Sequence, residues 1–336
     1  MIGPGSLGRY LRAENLRRGL IILLCSAGVL GVLLILLRLR LPFNTILWRE
    51  IHNTGHTPLF AIMALCILGL LPRIHGIRPK QGMYRYFLAL VITLALGAAF
   101  EIYQIWGPGD PDILDFTRDV AGAFPALALA MSFDRGLGRL WNPSGKKWRY
   151  LIRWGALAIW LTAFVPVGLW GAAYLEREAI YPTILSFESP LDMKFALTRN
   201  ARLETVKPTP QWHRTSDKVG KLTFLRGDYP RLAIREPYPD WSAYRFLKID
   251  LFSPEPDSVK LAIRIDDSHH NGAFGDRFNR AIFIGPGGNE IAISLDDVRK
   301  APAKREMDMT SIRNLIIFTS GNAREFSLYI DSLRLE

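Results

Sequence analysis

Long apolar runs dominate the first half of the chain and short alternating runs the second, with the change near residue 175. A helix that crosses a bilayer needs about 20 mostly apolar residues. Residues 19–37 and 154–175 meet that length. Three shorter runs lie between them, at 57–71, 86–100 and 120–133, and each reaches spanning length only by taking polar residues into one end. The pattern predicts a bundle of about five transmembrane helices over residues 1–178. The first run reads as an uncleaved anchor rather than a signal peptide, because it is long and no small-residue cleavage site follows it.

Beyond residue 178 the pattern turns to strands, at 184–187, 221–225, 246–252, 259–265, 281–284, 290–294, 315–318 and 326–333. Turn residues punctuate them at 253–257 and 285–289. Residues 247–251 and 261–265 alternate apolar and polar side chains, which gives one buried and one wet face. Many short strands of this kind predict an all-β jelly-roll sandwich over residues 179–336.

Charge sets the orientation. The formal net charge is +11, and many of the cations flank apolar runs. Arg9, Arg12, Arg17 and Arg18 precede the first run; Arg73, Arg78, Lys80 and Arg85 follow the second; Arg135, Arg139, Lys146, Lys147, Arg149 and Arg153 precede the last. Positive loops stay inside, so the N-terminus is expected in the cytoplasm and the sandwich outside the membrane. No nucleic-acid motif accompanies the basic balance, and nucleic acid is excluded as a partner. Cys25 and Cys66 both lie in apolar runs, so the sandwich must be held by its core rather than by disulfides.

This threading puts the polar ends of three spans on one side. His52, Asn53 and His56 open the second, Glu101 and Gln104 end the third, and Asp112, Asp115 and Asp119 open the fourth. Glu101 and Gln104 are three apart and share a helix face; Asp112, Asp115 and Asp119 form one acidic stripe that Gly122 continues. Ionisable groups at such depth are costly and turn toward a bundle interior. His56, Glu101, Gln104, Asp115 and Asp119 are therefore the candidate catalytic residues, with His56, Glu101 and Asp115 expected in one pocket. Interfacial capping residues would give the same pattern at Asp115 and Asp119, where a helix N-terminus favours an anion.

Over residues 43–133 this pattern resembles the VanZ-like membrane family: a His opening one span, a Glu-x-x-Gln ending a later one, then an Asp-x-x-Asp-x-x-x-Asn-x-x-Gly run. Asp119 stands where that family usually has Asn, Asp110 near where Arg is common, and His52 with Asn53 replaces an Asp-Lys pair. The resemblance implies a bacterial-envelope protein of the cytoplasmic membrane, related to a glycopeptide-resistance accessory factor, and no settled reaction.

The second half resembles galactose-binding-like, carbohydrate-binding-module jelly rolls. The resemblance rests on Phe187 and Glu188 in the opening strand, Asp240 to Tyr244, Asp276 to Asn279, and the closing run from Tyr329. It implies glycan binding, with Trp241, Tyr244, Asp267, His269 and Arg277 as candidate contacts; Trp241 and Tyr244 could stack on a sugar ring, but aromatics so placed more often pack the edge of the sandwich. It also implies a structural calcium ion at Glu188 and Asp331. The loop from Asp266 to Gly272 partly imitates a calcium loop, but His and Phe278 stand at two ligand positions, so it reads as a solvated loop.

Together these observations predict an accessory envelope protein. Its sandwich would bind a glycan or glycoconjugate, and its bundle would engage a membrane lipid or lipid-linked intermediate. One alternative is a membrane enzyme with Glu101 as general acid or base and His56 as its partner. Another is a transporter or proton relay, against which the lack of an internal repeat weighs.

Overall fold

The structure, a computed structural model, describes residues 4–39, 41–42, 44–74, 82–106, 113–134, 136–137, 145–212, 214, 216–321 and 324–336. The chain divides into two compact units, Met1–Gly168 and Leu169–Glu336.

The first unit is helical: α1 (Pro4–Arg38), α2 (Ile46–Ile74), α3 (Gly82–Trp106), α4 (Ile113–Phe133), α5 (Gly145–Thr162) and the start of α6 (Val165–Ile180). Among the described residues, three segments are long and apolar enough to cross a membrane: Ala13–Arg38, Ile46–Arg73 and Gly82–Tyr103. The expected fourth span, on α4, falls short of that measure, and Asp115, Arg118 and Asp119 lie in its first two turns. The expected fifth is broken into α5 and α6, bent by 41° at Ala163 and Phe164. Pro166 explains the break: it offers no N–H to the Thr162 carbonyl four residues back and its ring crowds that turn. Counting the bent pair as one span gives up to four.

α2 is the hub and packs against α1, α3 and α4. Phe60, Met63, Ala64, Ile67 and Leu71 recur at helical spacing on one face and meet Tyr86 and Ala89 of α3 and Ala123 and Leu127 of α4. Two glycines permit the close approach. A Cβ at Gly122 would lie 2.1 Å from the Thr57 carbonyl oxygen, and one at Gly97 2.8 Å from Asp119 Oδ2. Where α3 begins and α4 ends, Arg85 and the Tyr86 hydroxyl (3.0 Å) both bond Asp134.

The second unit is an antiparallel β-sandwich. One sheet runs β3 (Ala201–Val206), β4 (Val219–Phe224), β11 (Phe326–Leu335), β6 (Phe246–Ser253), β9 (Gly287–Ser294), with β1 (Thr183–Leu185) also on β11. The other runs β2 (Ala196–Arg199), β5 (Arg231–Arg235), β10 (Ile312–Phe318), β7 (Val259–Asp267), β8 (Phe278–Ile284). A short helix, α7 (Leu295–Arg299), follows β9, with the Ser294 hydroxyl accepting from the Asp297 N–H.

Period-two alternation turns Leu222, Phe224, Leu247, Ile249, Leu251, Leu328 and Ile330 inward. They face Leu232, Ile234, Leu261, Ile263, Ile265, Leu315 and Ile317 across the core. The unit also claims the last turns of α6: Ala173 is fully buried, Trp170 and Tyr174 pack edge-on to Phe195, and Arg177 donates to the Glu236 carbonyl at 2.9 Å.

Candidate functional site

In the helical unit, His56 of α2, Glu101 of α3 and Asp119 of α4 converge, with potential ligand atoms all within 4.8 Å of one another. His56 Nδ1 and Asp119 Oδ1 are hydrogen-bonded at 2.9 Å, and these residues are 3% and 1% exposed. The His56 ring stacks on Phe60 one turn on and meets His52 edge-on one turn back. Asp115, also buried, lies one turn before Asp119 and pairs with Arg118 on its own helix instead of joining the three. Gln104 is on α3, and its side chain lies outside those described, as do Asp110 and Asp112. The helix phase that joins Asp119 rather than Asp115 to His56 comes from the Gly122–Thr57 approach, which draws α4 against α2 at that level.

In the sandwich, most residues named from the sequence serve the fold. Trp241 is fully buried in the core, its Nε1 donating to the Tyr238 carbonyl at 2.7 Å; both ring faces are used by packing and none is left for a sugar. Tyr244 is half-buried, edge-on to Tyr181.

Asp267 is buried under Arg305, which bonds both its oxygens at 2.5 and 2.8 Å and also reaches Asp276 at 2.7 Å. Burial would raise the Asp267 carboxyl, but the Arg305 guanidinium and the Asp308 N–H outweigh it and hold it below its ordinary value. Arg305 and the Asn271 N–H hold Asp276 down to about 2, and the two carboxylates raise the guanidinium's own value. With Asp266 bonded by Arg264 and Asn314, the carboxylates of this calcium-like loop are taken by protein donors. His269 is exposed, 3.8 Å from Asp308.

Glu188 is exposed and accepts from the Lys218 N–H at 3.2 Å, while Asp331 is held by Ser216 and Arg214. Among the described residues, no group of three potential metal ligands forms around either acid.

The sequence reading missed the outer face of the five-stranded sheet. The pairings align Leu197, Ala233, Ile316, Arg264 and Asn279 in one row, and Arg199, Arg231, Phe318, Ala262 and Ala281 in the next. Arg235, Asn314 and Asp266 form a third row, and Lys260 with the exposed Phe283 flank the patch. Arg277, one of the residues named from the sequence, precedes β8 on this side, its guanidinium 5.1 Å over the exposed Phe274 ring. Burial and the neighbouring Arg264 push the Arg277 guanidinium below its usual value, as expected where cations crowd. Both amide atoms of Asn279 and the Nε atoms of Arg235 and Arg277 are shielded from solvent and make no hydrogen bond among the described residues. Alternation in residues 231–235 carried the signal, but arginine at both ends disguised the strand.

No protein-family model matches the chain, so its VanZ-like resemblance rests on the motif residues alone, and a search of curated proteins finds no match. Similar solved structures include an exo-beta-agarase, 19% identical over 46% of this chain and 25% of that one, with a TM-score of 0.38. A family 11 carbohydrate-binding module of a Clostridium thermocellum cellulosomal cellulase is 16% identical over 46% of this chain and 92% of that one, TM-score 0.34. A family 30 carbohydrate-binding module of another cellulase of that organism is 11% identical over 42% and 91%, TM-score 0.32. The chain thus spans about a quarter of the agarase's length, and likenesses at this level carry no functional argument.

Proposed function

We propose that this chain is a membrane-anchored protein of the bacterial envelope whose sandwich binds an acidic glycan on the outer face of the five-stranded sheet. One observation supports this above the others: the face carries six cations, Arg199, Arg231, Arg235, Lys260, Arg264 and Arg277, beside the exposed ring of Phe283. Guanidinium groups match carboxylate and phosphate in pairs of parallel hydrogen bonds. Phe318 and Phe283 supply apolar surface for sugar C–H faces, and Ala233, Ala262 and Ala281 keep the floor flat.

Loop cations support a cytoplasmic N-terminus and an extracytoplasmic sandwich. If α4 crosses as well, in addition to α1, α2, α3 and the bent α5–α6 pair, about five spans would anchor it, and the polar end of the bundle is where a lipid-linked envelope component would be engaged. The test is binding of the full-length protein to immobilised glycans bearing carboxylate, phosphate or neither. A charge-assisted hydrogen bond contributes about 1.5–3 kcal/mol, so Arg235→Ala and Arg264→Ala should each weaken acidic-glycan binding by roughly 10- to 100-fold. Unchanged binding in both variants would remove the sheet face from the account.

A further inference from the structure

An imidazole and two carboxylates, each from a different helix, meet at one buried point of the helical unit. We propose that His56, Glu101 and Asp119 bind a divalent transition-metal ion. The inference is independent of the glycan reading, since it concerns the other unit.

The donor chemistry fits. One nitrogen and two carboxylate oxygens suit zinc, manganese or ferrous iron, whereas an all-oxygen set would favour magnesium or calcium. Bonds of about 2.0–2.2 Å put donor atoms roughly 3–3.6 Å apart. The ligand atoms of the three groups already lie within 4.8 Å of one another, close to that spacing.

Charge points the same way. Two carboxylates beside a neutral imidazole carry two negative charges, which a divalent ion cancels. Burying these groups is costly where His56 and Asp119 are 3% and 1% exposed, and a cation held among them offsets that cost.

The scaffold is stiff. Gly97 gives Asp119 its space, Gly122 locks α4 against Thr57, and the Thr57 hydroxyl bonds the Arg118 carbonyl at 3.4 Å. Three protein ligands leave coordination positions open, as in metal sites that bind water or substrate rather than purely structural ones.

The experiment uses tag-free full-length protein in detergent, stripped with chelator and titrated calorimetrically with zinc and then manganese chloride, with bound metal counted by mass spectrometry. The expected result is one ion per chain, with affinity at least tenfold weaker in Glu101→Gln and in Asp119→Asn and unchanged in Glu14→Gln. Lack of saturable binding in the wild type, or full binding in both site variants, would overturn the proposal. If the site variants do not fold, X-ray absorption of the zinc-loaded wild type decides: one imidazole with oxygen ligands supports it, and a shell without imidazole overturns it.

Discussion

Replacing Gly122 by alanine tests the close approach that builds the bundle site. The added Cβ would sit 2.1 Å from the Thr57 carbonyl oxygen and 2.9 Å from its carbonyl carbon. Both are backbone atoms of α2, so no side chain can rotate out of the way, and the helices must part by roughly 1 Å. Overpacking of this kind costs about 1–3 kcal/mol, and the upper end applies where only backbone can move. Alanine's better helix propensity returns about 1 kcal/mol, leaving a net loss of about 2 kcal/mol. Gly55, one turn before Leu59 on the same helix, is the control: nothing lies within 4 Å of an added Cβ there, so Gly55→Ala should be neutral or stabilising. Gly97→Ala should fall between them, because its obstacles, Asp119 Oδ2 and the edge of the Phe60 ring, are side-chain atoms with some freedom. The assay is thermal unfolding of the full-length protein in a mild detergent, with the three variants side by side. If Gly122→Ala melts with Gly55→Ala, α2 and α4 are not in backbone contact and the convergence of His56 with Asp119 loses its cause.

Two further outcomes follow from the sandwich. Trp241→Ala should destabilise it by about 3–5 kcal/mol, read by denaturant titration of the sandwich unit's unfolding transition, since a buried aromatic leaves a cavity there; a well-folded variant with selectively weakened glycan binding would return Trp241 to the binding surface. Asp267 and Asp276 both titrate below their ordinary values, so their contribution is complete above about pH 4 and is lost as the pH falls through the folded-state values, about 2 for Asp276. The melting temperature should therefore drop along that acid limb and the limb should flatten in Arg305→Ala; an unchanged slope would show that Arg305 does not set it.

What the sequence discloses depends on how local the signal is. The apolar runs on α1, α2 and α3 identify themselves by length and composition, and β6 and β7 by the alternation of residues 247–251 and 261–265 within them. The break in the fifth run depends on Pro166, yet prolines inside α2 and α4 leave those helices continuous, so the residue type alone does not decide. β2, β3 and β5 escape notice because they are short and rich in arginine or other polar residues, and only their partners in the sheet make them strands. Arg305 lies in an irregular segment 38 positions from Asp267, and no spacing rule links them. His56, Glu101 and Asp119 could be named from depth and polarity, but choosing Asp119 over Asp115 requires the rotation of α4. Whether Trp241 stacks on a sugar or packs the sandwich stays open in the sequence, because an aromatic before a strand reads alike whether it faces core or solvent.

On the reading proposed above, the sandwich recognises acidic sugar through arginines on one sheet face. The most direct measurement is the affinity of the full-length protein for an oligosaccharide of uronic acids, against the same oligosaccharide with its carboxylates reduced to alcohols. Binding should be at least tenfold tighter to the acidic form and weaken as salt rises, with a phosphate-bearing sugar as the comparison for the other anion. Equal affinity for the acidic and reduced forms, or no binding to any of the three, would contradict it.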